Sequence, residues 1–316
     1  MSRLNVAITT LFVCLFSLVG PSSLIAGMTS CDKDKPIVIG YSSEAFYNVD
    51  PNDALSLITT WAQTVDRKLK NEVGTRVIFM KNLDEMKKVL ANNDVDIIAL
   101  MPEEFISLRE SVRLKPVLSS VLSSDYGKDS YNELLILVRN DRGISQVEQL
   151  RGKNIRVDSG QKGSIPMLWL NTLLKNKVSG DARNFFSKIT EYPKASQVIL
   201  PVFFDQADAC VASRVSFETM VELNPQIGRN LHIIERSPGF LTGIIAVRED
   251  VSNPKRDAMV TALRNIHTDP KGRQLLTLFR INRLVDFKNE HLSSVEKMLN
   301  ASKYSNKIVS RRKQGR

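Results

Sequence analysis

The stretch NIRVDSGQKGSIPMLWLNTLL, residues 154–174, holds the side chains best suited to meet a ligand. Asn154 to Val157 reads as the end of a buried strand, and Met167 to Leu174 as an apolar-rich helix. Between them Asp158, Ser159, Gly160, Gln161, Lys162, Gly163 and Ser164 are polar and include two glycines. Two readings fit these residue types. One is a plain turn. The other is a cradle for an anion, because the first turn of a helix has unpaired backbone N–H groups and the helix dipole favours negative charge there. Gly163 would allow close approach to the backbone, and Lys162 would add a cation.

Residue types suited to catalysis are sparse. The three histidines, His232, His267 and His291, stand at no metal-like spacing from one another. Cys210 has no histidine near it in sequence, so a Cys–His nucleophile would have to be assembled in space. No G-x-S-x-G, H-E-x-x-H or Walker A pattern occurs. Glu103, Glu104 and Asp205 have the chemistry for acid–base work, and the blander roles of capping or solvated surface groups suit them better. The reading is a protein that is not an enzyme and uses no cofactor and no metal.

The elements that must position the cradle follow from periodicity. From Ile37 strands alternate with helices: Ile37–Tyr41, Thr75–Met80, Asp96–Leu100 and Lys115–Leu122 read as strands, with helices over Asp53–Lys70, Leu83–Ala91 and Glu103–Arg109 between them. In Asp53–Lys70, Leu55, Ile58, Ala62, Val65 and Leu69 share one face, Asn52 or Asp53 can cap the start, and Gly74 lies past the end. A second unit has strands at Leu134–Arg139, Asn154–Val157, Ala207–Ala212, Leu231–Glu235 and Leu241–Val247. Helices are expected over Ala195–Phe203, Phe217–Leu223, Lys255–His267, Gly272–Phe279 and Glu290–Ala301. Such alternation implies mostly parallel sheets covered on both faces. In such sheets ligands bind beyond the carboxyl ends of the strands. Four loops there carry suitable chemistry: Ser42 to Tyr47, Met101–Pro102–Glu103, Asp158 to Ser164, and Ser213–Arg214.

With 316 residues, 42% hydrophobic and 25% charged, the chain has ordinary globular composition and enough length for two lobes. Its first 27 residues read as a secretory signal: Arg3, an apolar run from Val6 to Val19, a Gly20–Pro21 break and small residues at Ala26–Gly27. An uncleaved anchor over Val6 to Ile25 is the alternative. Cys14 leaves with the signal. Cys31 and Cys210 then either form one disulfide, or Cys31, ending the lipobox-like Met28–Thr29–Ser30–Cys31, is acylated. The net charge is +10, and Arg3 with Lys303, Lys307, Arg311, Arg312, Lys313 and Arg316 accounts for seven of it, leaving a nearly balanced body of +3. The basic segment 303–316 reads as a solvated, disordered tail, and export argues against nucleic acid.

Several segments together carry a resemblance. DVDIIALMPEEF, QLRGKNIRVDSGQKGSIP, DQADACVAS and VREDVSNPKRDAMVTALRNIHTDPKGRQLL are similar to stretches of the periplasmic solute-binding proteins of phosphate, phosphite and phosphonate ABC transporters, and the likeness runs over about 36–287. Leu150–Arg–Gly–Lys153 and Ala207–Asp–Ala209 are shared by several type 2 binding-protein families and specify fold better than ligand. The resemblance implies an α/β, two-lobed clamshell, each lobe a mostly parallel sheet flanked by helices. Lobe one would span 36–125 plus 240–287, lobe two 130–235, with a C-terminal helix over 288–302. It implies a monomer outside the cytoplasmic membrane that captures a small oxyanion between its lobes and presents it to an ABC permease; an exported sensor of the same fold is the alternative.

The ligand-binding residues it implies are Ser43, Tyr47, Met101, Glu103, Gln161, Lys162, Gly163, Ser164 and Arg214. The chain departs from the family where a Ser- and Thr-rich ligand loop is replaced by Gly160 to Ser164, where Met101 stands for a frequent glycine, and at Arg214. The exported protein is expected to lack residues 1 to about 27. Intact mass and N-terminal sequencing check this: a start at acylated Cys31 supports the lipoprotein alternative, and an intact Met1 in the membrane fraction overturns cleavage.

Overall fold

The computed structural model describes residues 35–43, 50–123, 129–158, 165–249 and 253–300. The signal-like segment, Cys31, Tyr47, the 161–164 loop and the 303–316 tail lie outside them. Among the described residues no helix is long and apolar enough to cross a membrane.

Two sheets organise the chain. The first is built from β1 (Ile37–Ser42), β2 (Thr75–Met80), β3 (Ile97–Leu100), β4 (Leu114–Ser123) and β5 (Asp129–Ser130), with helices α1 (Pro51–Leu69), α2 (Leu83–Ala91) and α3 (Pro102–Leu108) between the early strands. The chain then enters the second sheet: β6 (Leu134–Arg139), β7 (Asn154–Asp158), α4 (Ile165–Val178), α5 (Ala182–Phe185), β8 (Lys188–Tyr192), α6 (Ala195–Phe203), β9 (Ala209–Ser213), α7 (Arg214–Leu223), α8 (Pro225–Asn230) and β10 (Leu231–Arg236). It returns to the first sheet for β11 (Ile244–Arg248), α9 (Pro254–Arg264), α10 (Pro270–Leu278) and β12 (Ile281–Asp286). A last helix, α11, covers residues 293–300.

The strand order is β12-β4-β11-β3-β1-β2 in the first sheet, with β5 beside β4, and β10-β6-β9-β7-β8 in the second. Both sheets are mixed, where the sequence pattern pointed to mostly parallel ones. β1 pairs in parallel with β2 and β3, and β7 with β8 and β9, because helices cross over between those strands. β11 runs antiparallel to both β3 and β4, and β6 antiparallel to β9 and β10, because each of these strands is entered from the other sheet.

Strand periodicity places the cores. Along β6, Leu134, Ile136 and Val138 face one helical layer and Leu135 and Leu137 the other. β11 divides likewise: Ile245 and Val247 pack with Trp61, Met259 and Leu275, and Ile244 and Ala246 with Met86 and Phe105. Burial on both faces explains the near-continuous apolar runs of these strands. Helix α1 begins where Asp50 accepts the N–H groups of Asn52 and Asp53, with Pro51 in the first turn, so the cap lies ahead of the Asn52 or Asp53 suggested by the sequence. Helix α11 buries Val295 and Met298 against the second sheet, while Leu292 just before it packs in the first.

Cys210 is fully buried in β9, between β6 and β7, and carries a free thiol. Cys31, its partner in the disulfide alternative, lies outside the described residues. Burial also raises the thiol pKa, so it is held protonated and poorly nucleophilic.

One glycine is fixed by contact. A Cβ on Gly272, near the start of α10, would come within 2.1 Å of the Ile266 carbonyl oxygen, which is backbone and cannot swing away. Gly272→Ala is expected to cost about 3 kcal/mol by overpacking, read from the midpoint of urea unfolding; a loss under about 0.5 kcal/mol, the range of neutral surface changes, would mean that the α9–α10 turn yields freely.

Candidate functional site

The ends of β1 and β3 lie side by side, since Tyr41 of β1 stands opposite Ala99 of β3 in a parallel ladder. Ser42 closes β1 with no exposed surface, and Met101 caps α3 just after β3. Glu104 ties them together: one carboxyl oxygen accepts the Ser42 hydroxyl at 2.6 Å and the other the Met101 N–H at 2.8 Å. This is the acidic half of a capping box, with Pro102 at the first helical position. Glu104 is only 9% exposed, so both hydrogen bonds act at low dielectric.

Of the residues expected in lobe one, Met101 and Glu103 stand at the start of α3, and Ser43 lies just past the end of β1. Ser43 follows Ser42 and donates its hydroxyl to the Lys81 carbonyl at 3.2 Å, and Glu103 lies in the first turn of α3. Tyr47 is outside the described residues. Glu104, for which capping suited the sequence better than acid–base work, is the residue that organises this end: it caps α3 and also bonds Ser42 across from β1.

In the second sheet β7 ends at Asp158, 5% exposed, whose Oδ2 accepts a long 3.4 Å hydrogen bond from the Ser216 hydroxyl. Ser213 closes β9 and caps α7: its Oγ accepts the Ser216 N–H at 3.0 Å and donates to Ser216 Oγ at 2.8 Å. β7 and β9 are parallel neighbours, so Asp158, Ser213 and Ser216 form one polar end. Helix α4 begins at Ile165, immediately after the glycine-containing loop, and its burial of Trp169, Leu170 and Leu174 fixes the direction of that first turn. Gln161, Lys162, Gly163 and Ser164 are outside the described residues.

Arg214, the first residue of α7, binds the strand leaving the first sheet. Its N–H donates to the Glu133 carbonyl and its Nη2 to the Tyr131 carbonyl, both at 2.8 Å. Glu218 Oε1 lies 3.9 Å from its Nε. Arg214 thus stands where the second sheet meets the connection between the sheets. Asp205, considered for acid–base work, pairs on the surface with Arg142. His232 bonds Asn140 and the Ile144 carbonyl, and no group of metal-ligating side chains forms among the described residues.

The chain matches the family described as ABC transporter, phosphonate, periplasmic substrate-binding protein over residues 48–292. It belongs to that family. The two-lobed α/β fold is shared with solved structures of low sequence identity. A Xanthomonas citri protein bound to ATP is 16% identical, with a TM-score of 0.63 over 86% of this chain and 98% of that one. A Prochlorococcus marinus PhnD protein in complex with methylphosphonate is 15% identical, with a TM-score of 0.59 over 85% and 99%. The aliphatic sulphonate binding protein of Escherichia coli is 11% identical, with a TM-score of 0.52 over 87% and 94%. No curated protein matches the chain in sequence. For a periplasmic binding-protein family the strand ends described above are where fold and chemistry meet.

Burial raises the Glu104 carboxyl above its ordinary value, against the hydrogen bonds from Ser42 and Met101, which lower it. The folded chain therefore keeps this proton to a higher pH than the unfolded chain. In that window the native state binds more protons, so this group's contribution to stability falls as pH rises. Glu104→Gln cannot ionise. The melting temperature of the wild type, relative to Glu104→Gln, is expected to rise as pH is lowered from about 7 to about 5. A gap that stays constant across paired calorimetric scans would show that the carboxyl is not perturbed.

Proposed function

We propose that this protein captures a small tetrahedral oxyanion, phosphonate- or phosphate-like, outside the cytoplasmic membrane and delivers it as a monomer to the permease of an ABC importer. The observation that carries this reading is the family match over residues 48–292. The lobes are 36–125 with 240–287, and 130–235. Ser43, Tyr47, Met101 and Glu103 approach the ligand from lobe one, and Gln161, Lys162, Gly163, Ser164 and Arg214 from lobe two. The mechanism is hinge closure around a ligand that gains contacts on both sides. On lobe two the first turn of α4 supplies free backbone N–H groups and the positive end of a 14-residue helix. Lys162 adds a charge, and Gly163 leaves room for oxygens at the backbone.

Carriage rather than catalysis suits the side chains present. The buried thiol of Cys210 is protonated, and Glu104 is engaged by Ser42 and Met101. Binding by the fold relatives of a phosphonate in one case and ATP in another supports an anion-directed site with an adaptable second end.

Titration calorimetry with methylphosphonate, phosphate, sulfate and a short alkylsulfonate tests the proposal. One of the phosphorus oxyanions is expected to bind, and Lys162→Met to weaken it by about 10- to 100-fold, the loss of a charge-assisted hydrogen bond of about 1.5 to 3 kcal/mol. Unchanged affinity in Lys162→Met removes that side chain from the site. Binding of none of the four overturns the oxyanion reading.

A further inference from the structure

Among the described residues three segments join the two sheets, and one side chain touches all three. The first segment runs from β5 to β6, the second from β10 to β11, and the third from β12 to α11. The first two are bonded to each other. Asn132 and Phe240 exchange N–H···O bonds of 3.1 and 2.9 Å, and Leu134 and Ser237 are joined by the Ser237 N–H to the Leu134 carbonyl and the Leu134 N–H to Ser237 Oγ, both 2.9 Å. Tyr131 on the first segment sits against Gly239 on the second so closely that a Cβ there would be 3.0 Å from Tyr131 Cβ. Its ring also meets His291 on the third, with centroids 5.6 Å apart.

His291 in turn is fixed to the first sheet. Its Nδ1 accepts the Lys288 N–H at 3.3 Å and lies 3.1 Å from Ser119 Oγ on β4, and its ring packs edge-on to Phe287. An Nδ1 that accepts an N–H carries no proton, so this network holds the ring neutral with its hydrogen on Nε2. Among the described residues the titratable groups around it are Lys288 and Glu290 on its own segment, 4.0 Å apart, and the Tyr131 phenol; β4 presents the uncharged hydroxyl of Ser119.

We propose that Tyr131 and His291 are positioning residues that form a proton-sensitive clamp on the hinge, locking the three connections together while the ring is neutral and loosening them when it is protonated. Resting on the capture mechanism above, the clamp makes ligand affinity depend on pH. A clamped hinge restricts the open ensemble, so less conformational freedom is lost on closure. The sign follows from linkage. Burial lowers the His291 pKa, with Lys288 acting the same way and Glu290 opposing. In the released state the ring is solvated and its pKa returns to the ordinary range, so the released state binds the proton more readily. Falling pH through that range therefore populates release, and rising pH restores the clamp.

The test uses the full mature protein and His291→Gln, whose amide oxygen can still accept the Lys288 N–H but does not titrate. Hydrogen exchange of the ligand-free protein reads the clamp directly. After correction for intrinsic rates, amides of the 131–134 and 237–243 segments are expected to exchange about threefold or more faster at about pH 5.5 than at about 7.5 in wild type, with no such ratio in His291→Gln. Methylphosphonate affinity is measured at both pH values, and the wild-type to variant ratio cancels the titration of the ligand itself. It is expected to weaken by about threefold or more in wild type alone at the lower pH. Tyr131→Ala is expected to mimic the low-pH exchange at both pH values, and wild-type exchange in that variant overturns the clamp. Equal exchange ratios in wild type and His291→Gln overturn the clamp. Clamp-dependent exchange with equal affinity ratios overturns its coupling to capture. If methylphosphonate does not bind wild type at either pH, that ligand assignment fails, and exchange alone decides the clamp.

Discussion

The backbone pairing of Asn132 with Phe240 is the constraint on which the arrangement depends. It joins the outgoing and returning connections between the sheets, so neither sheet can be completed without the other's chain. β11 is the returning strand and lies in the middle of the first sheet, between β3 and β4. β6 is the outgoing strand and lies between β9 and β10 in the second. Each sheet is thus closed by a strand that arrives from the opposite side, and this is why both are mixed. It also puts flexibility and order in one place. Any change in the angle between the lobes must pass through segments held by Asn132, Leu134, Ser237 and Phe240.

The polar residues at the strand ends do local structural work before they meet any ligand. Glu104 is a buried carboxyl whose desolvation is compensated by the Ser42 hydroxyl and the Met101 N–H. Those two bonds fix how β1 and the first turn of α3 present their ends. Ser213 and Ser216 do the same for α7 and bring a hydroxyl to Asp158. Such residues set the walls of a site with no need for free valences of their own. The groups left to meet an anion are then those with spare donors: backbone N–H groups of a first helical turn and cationic side chains.

Legibility of the fold followed burial. β1, β3, β6, β9 and β11 are buried on both faces, and their apolar runs stand out in the sequence. The edge strands β8 and β12 do not. Lys188–Tyr192 and Ile281–Asp286 are short, interrupted by charge and partly exposed, so their strand character comes from pairing with β7 and β4 and not from their own pattern. The short helices α5 and α8 are set by the caps Asp181 and Asn224 and carry too few turns for a periodic signal. Of the expected binding residues, the glycine-containing loop lies outside the described residues, and Arg214, legible in sequence as a cation directly after a core strand, holds the connection between the sheets. Ser42, Ser216 and the buried state of Glu104 were not legible, because a serine or glutamate in sequence looks the same whether it caps a helix, bonds a neighbour across a sheet or faces water.

Arg214 joins these observations. Its position after β9 puts it at the carboxyl end of a second-sheet strand, yet its N–H and its Nη2 both hold the connection from the first sheet, at Glu133 and Tyr131. The guanidinium is a planar, fixed fork, so binding the Tyr131 carbonyl through Nη2 while Nε lies 3.9 Å from Glu218 orients the whole group on that connection. Tyr131 in turn packs against both other connections, through Gly239 and His291. The geometry therefore links helix α7 to the hinge by a short route: one side chain, one carbonyl, and one aromatic ring in contact with the other two connections between the sheets.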